Sequence, residues 1–514
     1  MTLDSALVDR LKARLTVSSD ARTREVLAPF TGSRLFDLPL ADEADVEGAV
    51  ADLRRGQKAW AARPLAERTA VMLRFHDLVL AQRELGLDVV QWETGKARRD
   101  AMEELVDVAL TARHYARDAK RLLKPRRHRG VLPVATGVLQ LQHPKGVVGV
   151  LSPWNYPLTL AASDALPALV AGNAVLLKPD VQTTLTAAWV IDLMIAAGLP
   201  EDVIRIVPGE GPEVGPMVIA RVDYVMFTGS TRVGREVAAR CGERLIGCSL
   251  ELGGKNAMIV RADADIARAA QIAARACFAN SGQLCISMER IYVHEDVYTP
   301  FLAAFTERVQ AMTMSAGLGW GGDMGSLIAQ RQVDRVQAHV EDAVSRGAHL
   351  VTGGKPRPDV GPYFFEPTVL TGVTDEMILC DEETFGPVVA VYPVSSDEEA
   401  VERANDSPYG LNAVVVSKDA RMGRTIAQQL HSGTVNVNEA FGPAWGSTRA
   451  PMGGMGDSGL GRRHGDEGLL KYTESQTIAT QRFLGFDPQF GWSDEKWLNT
   501  LAGALSVMKK AGFK

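Results

Sequence analysis

The chain reads as an α/β protein built on doubly wound parallel sheets. Short, unbroken apolar runs recur from Val147 onward, and helical segments separate them. Strands that are apolar on both faces need helices on both faces, which is the arrangement of a covered parallel sheet. The alternation restarts after Gly253-Gly254, which sets a second module apart.

The elements follow in order. Met1 to Leu15 mixes apolar residues with Asp4, Asp9, Arg10, Lys12 and Arg14. A secretory signal needs an unbroken apolar centre, so this stretch reads as an amphipathic helix. From Asp42 to Leu110 apolar residues recur at spacings of three and four, as in Val46, Ala49, Val50 and Leu53, which predicts helices with one buried face. The basic run from Lys120 to Arg129 reads as a solvated connector, or as a patch that attracts an anionic substrate or cofactor. Residues 131–134 and 138–142 read as strands of a hairpin-like excursion. The first alternating region predicts strands over 147–151, 174–178, 204–207 and 224–227, with helices over 158–170 and 184–197. The second predicts strands over 256–260, 290–293, 388–392, 413–416 and 433–437. Its helices fall over 266–280, 298–311 and 330–345, and Trp497, Leu501, Leu505 and Met508 mark one more near the end.

With 514 residues the chain is long enough for two or three domains. A net charge of -6 argues against a nucleic-acid partner, which would call for a clustered basic face. No apolar run approaches the roughly 20 residues of a membrane span. Five cysteines, with no CxxC or Cys/His ligand spacing, argue against a zinc site or disulfide framework and for a reducing cytoplasm.

One of those thiols sits in an unusual segment, Phe278-Ala279-Asn280-Ser281-Gly282-Gln283-Leu284-Cys285. Upstream lies Leu250-Glu251-Leu252-Gly253-Gly254-Lys255-Asn256. A lone cysteine is most often a small buried hydrophobe. A thiol and a carboxylate, each with glycines beside it, supply what covalent catalysis with a general base needs.

Further segments complete an ordered set: Pro153-Trp154-Asn155-Tyr156-Pro157, Lys178-Pro179, Phe227-Thr228-Gly229-Ser230 with Gly234, Glu383-Thr384-Phe385-Gly386-Pro387-Val388, Asn436-Val437-Asn438 and Pro451-Met452-Gly453-Gly454. From about Arg34 to Arg482 the chain resembles the aldehyde dehydrogenase superfamily, nearest to its bacterial succinate-semialdehyde dehydrogenases. The resemblance implies two doubly wound α/β domains plus a small β oligomerisation arm. Cys285 would be the nucleophile, Asn155 an oxyanion donor together with the Cys285 N–H, and Glu251 the base that activates water. Relatives that pass the acyl group to coenzyme A lack this Glu. No GxGxxG opens the first strand–helix unit. The resemblance instead places a nicotinamide cofactor against Trp154, Lys178, Gly229, Ser230, Gly234, Glu383 and Phe385. NAD-preferring members carry a Glu where this chain has Val181, so NADP is expected, with NAD as the alternative and Asp180 close enough to matter. The two arginines that hold a distal substrate carboxylate in well-marked members are here Ser163 and Ala279. Arg449, beside Ser447, is the expected substitute, with Arg113 and Arg117 behind it, and Tyr156 is a further substrate contact.

The implied layout gives 1–120 and 143–252 to the cofactor domain and 253–430 to the catalytic domain. Residues 121–142 and 460–482 would form the arm, and 483–514 a C-terminal extension. The expected function is NAD(P)-dependent oxidation of an aldehyde to its acid through a thiohemiacetal and thioester. Succinate semialdehyde is the leading substrate, and a bulkier apolar or aromatic aldehyde the alternative. A nicotinamide-independent thiol acyltransferase or hydrolase is the reading from another class. The expected setting is a cytoplasmic homodimer or homotetramer with no metal, nucleic-acid or membrane partner.

Overall fold

The computed structural model describes residues 3–132 and 135–512. They pack as two units: one comprises residues up to Leu122 and Pro144–Tyr472, the other Leu123–His143 and the chain from Thr473 onward.

Among the described residues of the first unit, a six-stranded sheet runs in the order Gly459–Leu460, Gly247–Glu251, Tyr224–Thr228, Val147–Leu151, Ala174–Lys178, Ile204–Ile206. All neighbours are parallel except the Gly459–Leu460 edge. Val147–Leu151, Ala174–Lys178 and Tyr224–Thr228 are buried at every position, as their unbroken apolar sequences require. A seven-stranded sheet runs His349–Thr352, Thr368–Thr371, Val388–Val394, Met288–His294, Asn256–Val260, Asn412–Val416, Thr434–Val437, with only the first strand antiparallel. Helices Ile266–Phe278 and Gln330–Ser345 belong to separate apolar clusters of this sheet. Among the described residues, no helix is long and apolar enough to cross a membrane.

In the second unit Arg126–Arg129 pairs antiparallel with Thr136–Pro144, and Thr473–Gln481 is the third strand. This corrects two expectations. The first strand of the excursion lies in the basic run itself; Val131 and Leu132, expected to begin a strand, lie in a bend, and Pro133 and Val134 lie outside the described residues. Backbone pairing carries a strand whose four side chains are all exposed. The helix near the end is Asp494–Lys510, capped by Ser493, and its buried Trp497 donates to the Phe486 carbonyl at 2.8 Å.

Some elements have no sequence forecast. Thr23–Leu27 and Arg34–Pro39 form a two-stranded ribbon. Gly247–Glu251 is a sheet strand although its sequence, GCSLE, is only half apolar.

Candidate active site

Cys285 follows a backbone that few sequences tolerate. After helix Ile266–Phe278 the chain turns through Asn280, Ser281 and Gly282 with φ of 50°, 56° and 71°. Left-handed non-glycine residues cost about 1–2 kcal/mol each, so the turn is strapped. Asn280 N–H donates to Asp100 at 3.0 Å, Ser281 Oγ to the Gly325 carbonyl at 2.9 Å, and Gln283 Oε1 accepts the Ile328 N–H at 2.9 Å. At Gly282 a side chain would collide with the Gly386 carbonyl.

Asn155 lies just before helix Pro157–Val170 and is tied to the same loop. Its Nδ2 donates to the Gln283 carbonyl at 3.1 Å, and its own carbonyl accepts from Asn280 Nδ2 at 3.0 Å. Lys96 Nζ also donates to that carbonyl, at 2.7 Å, while paired with buried Glu104. Glu104 in turn accepts the Leu158 and Thr159 N–H groups at 2.9 and 3.1 Å, capping the helix start.

Glu251 ends the Gly247–Glu251 strand, in register with Thr228. It is buried, and its Oε1 has no hydrogen-bond partner among the described residues. Burial pushes its carboxyl up to about 7; Arg463 and Lys471 oppose the shift, and Asp164 adds to it. Burial, with Glu383 and Glu251 adding to it, pushes the Cys285 thiol up to about 12, and Arg463 opposes.

Cys285, Asn155, Glu251, Trp154, Glu383 and Phe385 line one cavity of about 230 Å³. Glu383 accepts the Gly254 N–H at 2.9 Å, and burial pushes its carboxyl up to about 8. Phe385 meets Trp154 edge-on at 5.5 Å. The loop holding both hangs on Glu289, which accepts the Thr384 N–H at 2.9 Å and the Phe385 N–H at 3.0 Å, and pairs with buried Lys255 at 2.6 Å.

Trp154, Thr228, Gly229 and Ser230 also line a second cavity, of about 660 Å³, with Lys178, Asp180 and Arg232. The start of helix Thr231–Glu243 is there, with Ser230 as its cap. Backbone N–H groups at a helix start suit phosphate. Gly234 abuts Leu252 so closely that a Cβ would clash, letting helix and sheet meet. Burial pulls the Lys178 amine down, with Asp180 opposing. The Asp180 carboxylate is engaged in accepting the Gln182 N–H at 2.9 Å. Val181 is buried and faces an adjoining recess of about 290 Å³ with Arg24, Glu210 and Arg331. These residues fit a dinucleotide in size and donor chemistry.

The substrate expectations divide. Tyr156 and Ala279 are buried in one apolar cluster with Leu160, Phe441 and Met452, against which Cys285 and Trp445 pack. Ser163 Oγ donates to Asp107 at 2.8 Å. Ser447 is exposed, as are Arg113 and Arg117. Arg449 is 81% exposed and pairs with Asp118 at 3.1 Å, so the structure does not bring it into the cavity with Cys285. Among the described residues, no group of three His, Cys, Asp or Glu side chains could hold a metal ion. Sequence reasoning missed Arg463, Lys471 and Asp164 near Glu251, and Arg24 and Arg331 near Val181. The available signal was a run of charged residues, Arg462 and Arg463, just after a glycine-rich segment.

Residues 16–478 match the model of the aldehyde dehydrogenase family. A protein of Mycolicibacterium smegmatis named "Putative succinate-semialdehyde dehydrogenase NADP(+)" is 52% identical over 503 residues, covering 98% of this chain and 97% of that one. The mitochondrial succinate-semialdehyde dehydrogenase of Oryza sativa is 35% identical over 464 residues, covering 89% of this chain and 86% of its own. The crystal structure of Staphylococcus aureus betaine aldehyde dehydrogenase in complex with NAD+ superposes with a TM-score of 0.89 at 30% identity, covering 95% of this chain and 98% of that one. With the thiol, the buried carboxylate and the two joined cavities in place, the chain belongs to the aldehyde dehydrogenase family.

Proposed function

We propose that the protein oxidises succinate semialdehyde to succinate with NADP, using Cys285 as nucleophile. The observation that carries this reading is the single cavity holding Cys285, Asn155 and Glu251, continuous in its lining with a dinucleotide-sized one. The thiol first gives up its proton to solvent, which leaves Glu251 free to act later as base. The sulfur then bonds to the aldehyde carbon. Negative charge develops on the carbonyl oxygen, where Asn155 Nδ2 and the Cys285 N–H can donate. A bound nicotinamide would supply the acceptor for the hydride leaving this carbon, and Cys285 would then carry the acyl group as a thioester. Glu251 then takes a proton from water, the oxygen bonds to the carbonyl carbon, and the carbon–sulfur bond breaks. Trp154, Lys178, Gly229 and Ser230 would hold the cofactor, and Glu383 its nicotinamide ribose.

NADP is favoured because Val181 offers no carboxylate to repel a 2′-phosphate, and Arg331 lines the same recess, where Arg24 is paired with Glu210. The substrate rests on the names of the mycobacterial and rice relatives. A larger apolar aldehyde is the second reading, favoured by the apolar cluster of Tyr156, Leu160, Phe441 and Met452, against which Cys285 and Trp445 pack. Free cysteines and the short three-stranded sheet support a cytoplasmic homodimer or homotetramer, since so small a sheet gains from cover. An aldehyde panel assayed with both cofactors tests these points together. Succinate semialdehyde with NADP should give the highest kcat/KM. A higher value for an apolar aldehyde selects the second reading, and turnover without any nicotinamide overturns both.

A further inference from the structure

A group of largely buried charges adjoins the cavity of Cys285 and takes no part in the steps above. Arg463 follows strand Gly459–Leu460, and its backbone bridges Met452, whose N–H donates to the Arg463 carbonyl at 2.9 Å. Its Nη2 donates to Asp164 Oδ2 at 2.7 Å and to Thr228 Oγ1 at 2.6 Å. Thr228 lines the cavity and is the register partner of Glu251. Next to Met452, the chain at Gly453 passes so near that an added Cβ would lie 3.0 Å from Glu251 Oε1. Two segments that flank the Glu251 carboxyl, the end of strand Tyr224–Thr228 and the loop at Met452, are therefore both fastened to Arg463.

We propose that Arg463, oriented by Asp164 and Thr228, is a positioning residue whose fixed positive charge favours the ionised forms of Cys285 and Glu251. This rests on the reading of Cys285 as nucleophile and Glu251 as base. Glu383 and Glu251 line the cavity with the thiol, Arg463 reaches it through Thr228, and these are the charges that act on Cys285. Those that act on Glu251 are Arg462 and Arg463, Lys471, and Asp164 from helix Pro157–Val170. The carboxylates disfavour a second anion, and Arg463 opposes them at both groups. Lys471 donates to Ser249 Oγ at 3.3 Å, but burial pulls its amine down to about 8, so its charge fades as the medium turns alkaline. A guanidinium stays charged when buried, which makes arginine the residue type for this place.

The test follows Cys285 alkylation by iodoacetamide, read by mass spectrometry of the Cys285 peptide across pH, alongside the pH profile of turnover. Arg463→Gln should raise both apparent pKa values by about one unit, cutting the thiolate at a given pH about tenfold. Arg463→Lys should restore part of that loss. Asp164→Asn removes a carboxylate and leaves the cation, so both values should move the opposite way. Melting curves separate misfolding from electrostatics, and if Arg463→Gln does not fold, the direction of the Asp164→Asn shift decides. Unmoved pKa values in a folded Arg463→Gln protein would overturn the proposal and leave Arg463 a purely structural residue. The reading beneath it fails separately, if Cys285→Ala keeps its turnover.

Discussion

Cys285 and Glu251 share one cavity, and burial raises both, so each of the two steps they serve should gain rate as pH rises. Glu251 must be ionised to take a proton from water, and its carboxyl sits at about 7. Hydrolysis of the thioester should therefore fall as pH drops below about 7, and pre-steady-state traces at several pH values would show it. Glu251→Gln should remove that limb and leave a burst of reduced cofactor followed by slow turnover; equal slowing of both phases would exclude the general-base role. The thiol at about 12 is mostly protonated near neutrality, so the burst itself should quicken as pH rises. Asn155→Ala should cost on the order of 100- to 1000-fold in kcat, the usual loss for one oxyanion donor. A change below about threefold would assign Asn155 to holding the Gln283 carbonyl alone.

Two loops position these groups, and each depends on one feature of its element. The thiol turn needs Gly282, at φ 71° and against Gly386. Gly282→Ala should lower both the melting temperature and the alkylation rate of Cys285. The Glu383–Phe385 loop hangs on Lys255 and Glu289, both buried. Lys255→Met would strand the Glu289 carboxylate without its partner, a loss of about 3–5 kcal/mol by denaturant unfolding. Removing both charges, as in Lys255→Met with Glu289→Leu, should recover much of it. The strand-to-helix corner at Val181 belongs to the same scale. Val181→Glu would set a carboxylate in the recess of Arg24 and Arg331, and the kcat/KM ratio should move toward NAD by about tenfold or more. A wild type that already prefers NAD would shift the cofactor role to Asp180.

At the scale of the whole molecule, the second unit is the part with least interior of its own. Its strand Thr473–Gln481 is exposed along its length after Thr473, and its terminal helix shows Leu498, Leu505 and Val507 to solvent. Apolar exposure on this scale is a common mark of an interface. Sedimentation should give a mass that is an even multiple of 55.5 kDa. A chain truncated before Phe483 should lose assembly only if the terminal helix, rather than the strand, carries it; a monomeric full-length chain would remove the oligomer reading altogether.

The sequence by itself determined the strands that are buried on both faces, because Val147–Leu151 or Asn412–Val416 can be stable only inside a covered sheet. It also supplied the candidate chemical residues, since the segments around Cys285 and Glu251 belong to the ordered set of motifs on which the family resemblance rests. Strands without an apolar signature were decided by their neighbours. Arg126–Arg129 is held by backbone pairing with Thr136–Pro144 and by the contact of His128 with Gln140, and Gly247–Glu251 exists because Tyr224–Thr228 and Gly459–Leu460 flank it. The charges around the site were decided the same way. Arg463 and Asp164 are 299 positions apart, and nothing in either segment announces the other. Arg449 shows the converse: its place beside a site motif suggested a substrate contact, but the fold turns it toward Asp118. A side chain's role depends on where the chain brings it in space, and for charged residues that is set by long-range packing, which no local period records.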